Sequence, residues 1–239
     1  MPTPTNHSPE NQYHYALSSN QAWAGYKSHQ NPTFFTSQSI GETPSILWLG
    51  CSDSRIPETT ILGCQPGDVF SHRNLAAIVS PTDINTSAAL EFAVAHLKVK
   101  HVILCAHTGC PAAAAALSGA RVGGVLDTWL TPLKSAVAQN AEELAGIRDE
   151  HSRGVRVAEL GVESGIGVIM ANLAVREAVK ERGLEVHGCM FDVATGRLRD
   201  LGLGTDGVGR GGRVNGEEIV RGRHATLVFR GGEATMSAQ

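Results

Sequence analysis

Two short runs in this chain contain residue types that bind transition metals. Cys51, Asp53 and Arg55 lie in Gly-Cys-Ser-Asp-Ser-Arg, and His107 and Cys110 lie in Cys-Ala-His-Thr-Gly-Cys. Two thiolates and one imidazole form a favourable ligand set for Zn²⁺, and three protein ligands leave the fourth tetrahedral position open for water or substrate. An open position of this kind is typical of a catalytic zinc site.

Asp53 and Arg55 are suited to assist such a site. Zinc lowers the pKa of a bound water from about 15.7 toward about 7, although two thiolates weaken this effect by cancelling the charge of the ion. Asp53 can accept a hydrogen bond from the bound hydroxide, and Arg55 can keep that carboxylate ionised and oriented. The alternatives are a structural ion pair between Asp53 and Arg55 and a buried apolar role for Cys51.

The elements that must position these residues are two apolar segments. Residues 46–50 and 101–105 have the pattern of strands buried on both faces, and residues 85–98 between them have a helical apolar face. In open parallel sheets, ligands gather beyond the carboxyl ends of the strands. The pattern therefore predicts that Cys51 and His107 converge at one edge of a sheet.

Helices are predicted after the second strand. Pro111, followed by a block of alanines, predicts a helix with proline at its first position, and the positive end of that helix would favour the thiolate of Cys110. A second helix is predicted over residues 127–149, with Asp127 or Thr128 as its N-cap.

The remaining pattern predicts one more helix and several strands. Ile166, Ile169 and Leu173 share one face of a helix that ends at Gly183. Further strands are predicted at residues 69–70, 184–193, 197–201 and 225–229, of which the second and third form a hairpin. The alternation predicts an α/β fold with a mainly parallel central sheet flanked by helices.

The length of 239 residues and a hydrophobic content of 42% predict one catalytic α/β domain over residues 31–239, preceded by an N-terminal arm over residues 1–30. Aromatic residues in the arm predict that it packs on a partner subunit. A glycine-rich insert at about residues 202–216 matches the dinucleotide fingerprint in spelling only, because no strand-to-helix context surrounds it. A flexible insert is the better interpretation.

Charge and composition exclude several classes of protein. The 20 basic and 23 acidic residues are scattered, so we expect no nucleic-acid partner. No run of eighteen apolar residues is present, so we expect no membrane span, and without a signal or transit peptide we expect a cytoplasmic location. Five cysteines argue against a disulfide framework, and Cys64, Cys105 and Cys189 are expected in the core.

Four motifs together closely resemble the β-class carbonic anhydrases, and the likeness extends from about Trp23 to Leu201. They are Leu-Trp-Leu-Gly-Cys-Ser-Asp-Ser-Arg at 47–55, Pro-Gly-Asp-Val-Phe-Ser-His-Arg-Asn-Leu-Ala at 66–76, Cys-Ala-His-Thr-Gly-Cys at 105–110 and Val-His-Gly-Cys-Met-Phe-Asp-Val at 186–193. Pro-Glu-Thr-Thr-Ile-Leu at 57–62 is similar to the fungal branch.

The resemblance implies a four-stranded parallel core and an N-terminal helical arm that wraps a partner, in a homodimer or homotetramer. It implies a zinc cofactor on Cys51, His107 and Cys110, with Asp53 and Arg55 as the catalytic dyad. The implied reaction is the reversible hydration of carbon dioxide to bicarbonate and a proton. In members with a closed resting site, the residue matching Asp53 is the fourth zinc ligand.

The resemblance also implies a regulatory bicarbonate site at Trp48 and Arg73. The tyrosine that completes this site in the family is Phe191 here, which removes a hydroxyl.

Three implied substrate-binding positions depart from the family pattern. Pro111 and Ala112 replace a glycine pair, and Glu42 replaces a glutamine. Proline removes a backbone donor, the alanine methyl group adds volume, and a carboxylate repels bicarbonate. Two alternatives follow: a carbonyl sulfide or carbon disulfide hydrolase on the same fold, and a zinc-binding homologue with weak or no activity.

Overall fold

The structure is a computed structural model that describes residues 9–205 and the backbone of four later strands. The chain divides into two compact units, Met1–Glu42 and Thr43–Gln239. The first unit contains α1 (Pro9–Gln30) and α2 (Phe34–Ile40), and the rings of Trp23 and Phe35 meet edge to face with their centroids 5.6 Å apart. The predicted N-terminal arm is therefore largely one helix that ends at Gln30.

A five-stranded sheet forms the centre of the second unit. Its strands are β1 (Ile46–Cys51), β2 (Val69–Asn74), β3 (His101–His107), β4 (Glu185–Asp192) and β5 (Arg197–Gly204). The spatial order is β2-β1-β3-β4-β5, in which the first four strands are parallel and β5 pairs antiparallel with β4. The mainly parallel sheet and the β4–β5 hairpin confirm the predictions.

The burial of the two central strands explains their apolar sequences. In β1, Leu47, Trp48 and Leu49 are at most 2% exposed, and in β3 Val102 and Leu104 are fully buried. Strands covered on both faces have no polar alternation, because neither face meets water.

Helices cover the sheet. They are α3 (Glu58–Ile61), α4 (Ile84–Glu91), α5 (Pro111–Ser118), α6 (Gly124–Trp129), α7 (Thr131–Gln139), α8 (Ala141–Gly146), α9 (Glu150–Ala171) and α10 (Leu173–Arg182). A 3₁₀ turn spans Leu75–Ala77, and a π-helical turn, Phe92–His96, continues α4. The predicted helix over residues 85–98 is thus α-helical only in its first part, whereas α5 begins at proline as predicted.

The prediction of one helix over residues 127–149 is wrong, because α6, α7 and α8 occupy this segment. Pro132 lies in the first turn of α7, where its missing N–H ends one helix and suits the start of the next. Asp127 is not an N-cap but lies inside α6, where its carboxylate accepts from the backbone N–H of Val122 and Gly123 and from Lys134. Thr128 also lies inside α6.

The prediction that Ile166, Ile169 and Leu173 share one face of a single helix is also wrong, because α9 ends at Ala171 and Leu173 begins α10. Ile166 and Ile169 are buried in α9, whereas Leu173 is 67% exposed. The helix is interrupted at Asn172. The side-chain oxygen of this residue accepts a hydrogen bond from the N–H of Val175 and caps α10. The helix then ends, as predicted, at Gly183, which has a left-handed φ of 68°.

A second sheet follows in the order β6 (Arg213–Val214), β7 (Glu217–Arg221), β8 (Ala225–Arg230) and β9 (Glu233–Ala238). The strand predicted at residues 225–229 is confirmed as β8, although it is not the last one. Residues 202–204 of the predicted insert belong to β5, and residues 206–212 and 215–216 lie outside the described residues. Its flexibility therefore stays a prediction.

No single helix in the described part of the chain is long and apolar enough to cross a membrane. Among the described helices, α9 and α10 taken together have the length and composition of such a span, but they are bent by 75° relative to each other.

α9 approaches β3 closely at Gly165. A Cβ added there would lie 2.5 Å from Cδ2 of Leu104 and 3.4 Å from Cβ of Val79, and both neighbours are buried. Because the strand that carries His107 passes under this contact, a small residue lets the helix seat against it.

We expect Gly165→Ala to lower the free energy of unfolding by about 1–3 kcal/mol, since the methyl group forces Leu104 to move in a packed core. Gly167→Ala is the matched control, because a Cβ there has nothing within 4 Å. It should raise the free energy of unfolding by about 0.5–1 kcal/mol through its helix propensity. Urea unfolding measures both, and equal stability of the two variants would contradict the close approach.

Candidate metal centre

The structure brings Cys51, His107 and Cys110 together at the carboxyl edge of the sheet. Cys51 ends β1, His107 ends β3, and Cys110 is the residue before the first turn of α5. Their ligand atoms all lie within 4.8 Å of one another, and the three residues are 2%, 1% and 7% exposed. The two predicted strand ends therefore meet with three metal-binding atoms facing each other.

The hydrogen bonding of His107 determines which ring nitrogen faces the sulfur atoms. Nδ1 lies 3.0 Å from the carbonyl oxygen of Thr108, which can only accept, so Nδ1 carries the hydrogen. Nε2 is left with a lone pair, and it is buried without a hydrogen-bond partner. An unpaired buried acceptor costs about 1–3 kcal/mol, which a bound cation would remove. The residues present therefore fit a divalent metal ion.

Backbone N–H groups point at both sulfur atoms. The N–H of Ala76 lies 3.3 Å from Sγ of Cys51, and the N–H groups of Ala112 and Ala113 at the start of α5 lower the pKa of Cys110. Such donors stabilise thiolates and orient them, as supporting groups do around metal ligands.

The two thiols influence each other's ionisation. A hydrogen bond from Cys110 lowers the pKa of Cys51 to about 4, against the opposing effect of burial. The same hydrogen bond and burial raise the pKa of Cys110. One negative charge is therefore stable between the sulfurs, and a second ionisation requires a positive charge beside them.

Asp53 is held by Arg55 through its backbone and its side chain. The backbone N–H and Nε of Arg55 each lie 2.9 Å from Oδ1, and Nη2 lies 2.7 Å from Oδ2. These bonds lower the pKa of Asp53 well below its usual range, so the carboxylate is ionised at neutral pH. Nη2 also donates to the carbonyl of Gly109 at 3.1 Å, which ties the pair to the second ligand loop.

The carboxylate of Asp53 lies beside the cluster rather than in it. Its Oδ2 is 3.8 Å from Nε2 of His107, and Asp53 is not among the residues whose ligand atoms all lie within 4.8 Å. Because Arg55 engages both carboxylate oxygens, Asp53 and Arg55 are paired as the dyad requires, and a role of Asp53 as fourth ligand stays a prediction.

Arg73 connects the loop that carries the dyad to β2. Its Nε donates to the carbonyl of Cys51 at 2.8 Å, and its Nη2 donates to the carbonyl of Asp53 at 2.5 Å. Nη1 lies 3.8 Å from Oε2 of Glu58. Arg73 therefore fixes the backbone on both sides of Ser52.

Trp48 and Arg73 lie on the same face of the sheet, as their strand register shows. The indole of Trp48 covers Gly50, where a Cβ would lie 2.1 Å from Nε1, and this buried Nε1 has no hydrogen-bond partner. Phe191 pairs in register with His107 and is buried. The regulatory role of Trp48 and Arg73 stays a prediction.

The three substrate-binding predictions concern two places. Pro111 is exposed at the first position of α5, while Ala112 is buried, 6% exposed, with its N–H directed at Cys110. The effect of Pro111 and Ala112 on substrate binding stays a prediction. Glu42 belongs to the first compact unit, and its contact with substrate stays a prediction.

A cavity of about 180 Å³ adjoins the second ligand loop. Its lining consists of Gly109, Cys110, Pro111, Ala114, Glu150, His151 and Gly154.

Three supporting residues were missed from the sequence. Ala76 has a left-handed φ of 66°, which costs about 1–3 kcal/mol for a non-glycine residue and directs its N–H at Cys51. Asn74 braces this turn through two bonds of 2.8 Å with the backbone of Ile78. The hydroxyl of Thr108 bonds Asp192 and the N–H of Val193. Only Asn74, a turn-forming residue at the end of β2, had a recognisable sequence signal.

The other cysteines have no part in the centre. All five cysteines are free of disulfides. Cys105 is buried in the core as predicted, whereas Cys64 and Cys189 are only partly buried, so the core prediction is too strong for these two.

Comparison with known proteins gives consistent results. The family model described as carbonic anhydrase matches residues 46–198. A carbonic anhydrase of Emericella nidulans is 36% identical over 191 residues, which are 80% of this chain and 83% of the relative.

Solved structures agree with the sequence match. One of two tetrameric β-carbonic anhydrases from Sordaria macrospora is 65% identical, with a TM-score of 0.81 over 82% of this chain and 99% of that chain. A β-carbonic anhydrase of Aspergillus fumigatus is 47% identical, with a TM-score of 0.77 over 80% of this chain and 90% of that chain. The chain belongs to the carbonic anhydrase family. Within it, the chain is of the β class and of the fungal type.

We expect Arg73→Lys to weaken divalent-metal binding by about 10–100-fold, because lysine cannot hold both carbonyl groups of the ligand loop at once. Competition with a chelator, followed by metal analysis, measures this affinity. Arg176→Lys, on the exposed surface of α10, is the control and should leave the affinity unchanged. An unaltered affinity in Arg73→Lys would show that the loop holds its geometry without this bridge.

Proposed function

We propose that this chain catalyses the zinc-dependent, reversible hydration of carbon dioxide to bicarbonate and a proton. Its family membership supports the reaction. The observation that carries the proposal is the buried, unpartnered Nε2 of His107 beside two cysteine sulfur atoms. Zn²⁺ is the proposed ion because a Cys₂His set with one open position is an established catalytic zinc arrangement.

Cys51, His107 and Cys110 would hold the ion. When bound, zinc supplies an activated water at neutral pH. The N–H groups of Ala76, Ala112 and Ala113 keep the thiolates oriented, and the carbonyl of Thr108 keeps the imidazole in the ligating tautomer.

Asp53 is the proposed orienting group. Its carboxylate is ionised and lies beside the ligand set, so it can accept a hydrogen bond from the attacking water and turn an oxygen lone pair toward the carbon of carbon dioxide. Arg55 holds both carboxylate oxygens and prevents the carboxylate from turning into the open position. The released proton leaves to solvent water or buffer.

We expect zinc-loaded protein to hydrate carbon dioxide in a stopped-flow assay, and Cys51→Ser to reduce the rate to that of buffer. Asp53→Asn should retain zinc and lower kcat about 10²–10⁴-fold, since the amide cannot accept the same hydrogen bond as a carboxylate. Asp200→Asn, on the exposed strand β5, is the matched control and should keep full activity.

The same preparation separates this reaction from its nearest rival. Sulfide released from carbonyl sulfide, with no hydration of carbon dioxide above the Cys51→Ser rate, would replace the proposed reaction with a hydrolase of linear sulfur substrates. Full activity in Asp53→Asn would remove the orienting role while leaving the metal role intact.

The alternative of a weakly active homologue is motivated by Pro111, Ala112 and Glu42. If these residues limit the reaction, changing them to Gly, Gly and Gln should raise kcat/KM sharply. Our proposal expects the wild-type chain to be active without this change, because the three metal-binding residues and the Asp53–Arg55 pair are already in place. A large gain on reversion, from a wild type near the buffer rate, would favour the alternative.

We also propose that the chain assembles as a homodimer or homotetramer through α1. The Sordaria macrospora relative is described as tetrameric, and α1 exposes Tyr13 and Tyr26 at 69% and 60%. Sedimentation equilibrium should give a multiple of 25.2 kDa. Replacement of both tyrosines by serine should shift the distribution toward monomer, whereas a wild-type monomer would contradict the assembly.

A further inference from the structure

A second group of metal-binding side chains lies at the amino ends of β3 and β4, at the end of the sheet opposite the first centre. His101 is the first residue of β3, Glu185 is the first of β4, and His187 lies two residues further along β4. The register pairs His101 with Glu185 and Ile103 with His187. Because side chains alternate along a strand and in-register neighbours share a face, the three side chains project from the same face of the sheet.

The three side chains direct one ligand atom each at a common point. Nδ1 of His101 lies 3.3 Å from Nε2 of His187 and 3.4 Å from Oε2 of Glu185. Nε2 of His187 lies 3.5 Å from the same oxygen. The atoms therefore form a nearly equilateral triangle. A ring nitrogen that carries a hydrogen can donate along only one edge of this triangle, whereas a cation at its centre would bind all three atoms.

The size of the triangle matches the coordination of a transition metal. A tetrahedral zinc ion with bonds of about 2.0–2.2 Å to nitrogen and carboxylate oxygen has its ligand atoms about 3.3–3.6 Å apart, and the edges of this triangle have that length. Two imidazoles and one carboxylate are a known zinc ligand set, and they also suit Co²⁺, Ni²⁺ and Cu²⁺. Ca²⁺ and Mg²⁺ require six or more oxygen ligands, so they do not fit.

We propose that His101, Glu185 and His187 bind a second divalent transition-metal ion of the Zn²⁺ class, distinct from the Cys51–His107–Cys110 centre. Side-chain exposures of 38%, 46% and 22% allow an ion from solution to reach the site. Among the described residues, this group and the Cys51–His107–Cys110 centre are the two in which three metal-binding atoms lie within 4.8 Å of one another.

The two sites are separate in space and in role. His101 and His107 are the ends of the same seven-residue strand, so about 20 Å of β3 lies between the sites at about 3.3 Å per residue. An ion at the second site would link the start of β3 to the start of β4. It would join His101 and His187, which are 86 residues apart in the sequence. Such an ion would therefore cross-link β3 to β4 at their amino ends, whereas the Cys51–His107–Cys110 centre lies at the carboxyl ends of the strands.

The test uses Co²⁺ as the probe, measured by equilibrium dialysis with elemental analysis and by absorption spectroscopy. Wild-type protein should bind one more equivalent than His187→Ala, and that equivalent should lack the thiolate-to-metal charge-transfer band, because its ligands are nitrogen and oxygen. Cys51→Ser should lose the equivalent that carries the band and keep the other. His96→Ala, a histidine outside the cluster, is the matched control and should bind as the wild type does.

Glu185→Gln provides a second variant that changes one ligand and little volume. It should weaken binding of the second equivalent at least tenfold, while the charge-transfer band of the first site shows that the chain remains folded. The proposal is overturned if His187→Ala and the wild type bind equal amounts of Co²⁺, or if Glu185→Gln leaves the second affinity unchanged. Because the band reports only the cysteine site, failure of the proposed function and failure of the second site give different results.

Discussion

The lone pair on Nε2 of His107 is the constraint on which the rest of this structure depends. It is buried at the end of a central strand beside two sulfur atoms and has no hydrogen-bond partner. Unpaired polar atoms inside a protein are destabilising, and the carbonyl of Thr108 prevents the ring from placing its hydrogen there. β1, β3 and α5 therefore converge on a point that only a cation satisfies fully.

Backbone groups supply much of the support around that point. Ala76 adopts a left-handed conformation that costs about 1–3 kcal/mol, and its compensation is a sulfur hydrogen bond together with the bracing of its turn by Asn74. The guanidinium of Arg73 donates hydrogen bonds to two backbone carbonyl groups of the ligand loop. The side chains that bind and orient are therefore few, while the groups that hold them in place come from several elements.

An element was predicted correctly where interactions between near neighbours in the sequence decide its structure, and less well where other contacts decide it. Residues 46–50 and 101–105 are strands as predicted, because burial on both faces imposes an apolar run that is visible locally. The helix predicted over 127–149 is wrong because one helix ends and the next begins at Leu130, before Pro132, and again at Asn140. Leu173 fits the helical period of α9, yet the cap at Asn172 turns it away from the core.

The sequence by itself determined the ligand types, their places at two strand ends and the pairing of Asp53 with Arg55, since these depend on short spacings. Only the tertiary structure decided that Ala76 faces Cys51 and that Arg73 bridges two carbonyls. It alone brought His187 within 3.3 Å of His101. Strand register caused this, because core packing aligns β3 with β4, and no local pattern records which residues of two distant strands become neighbours.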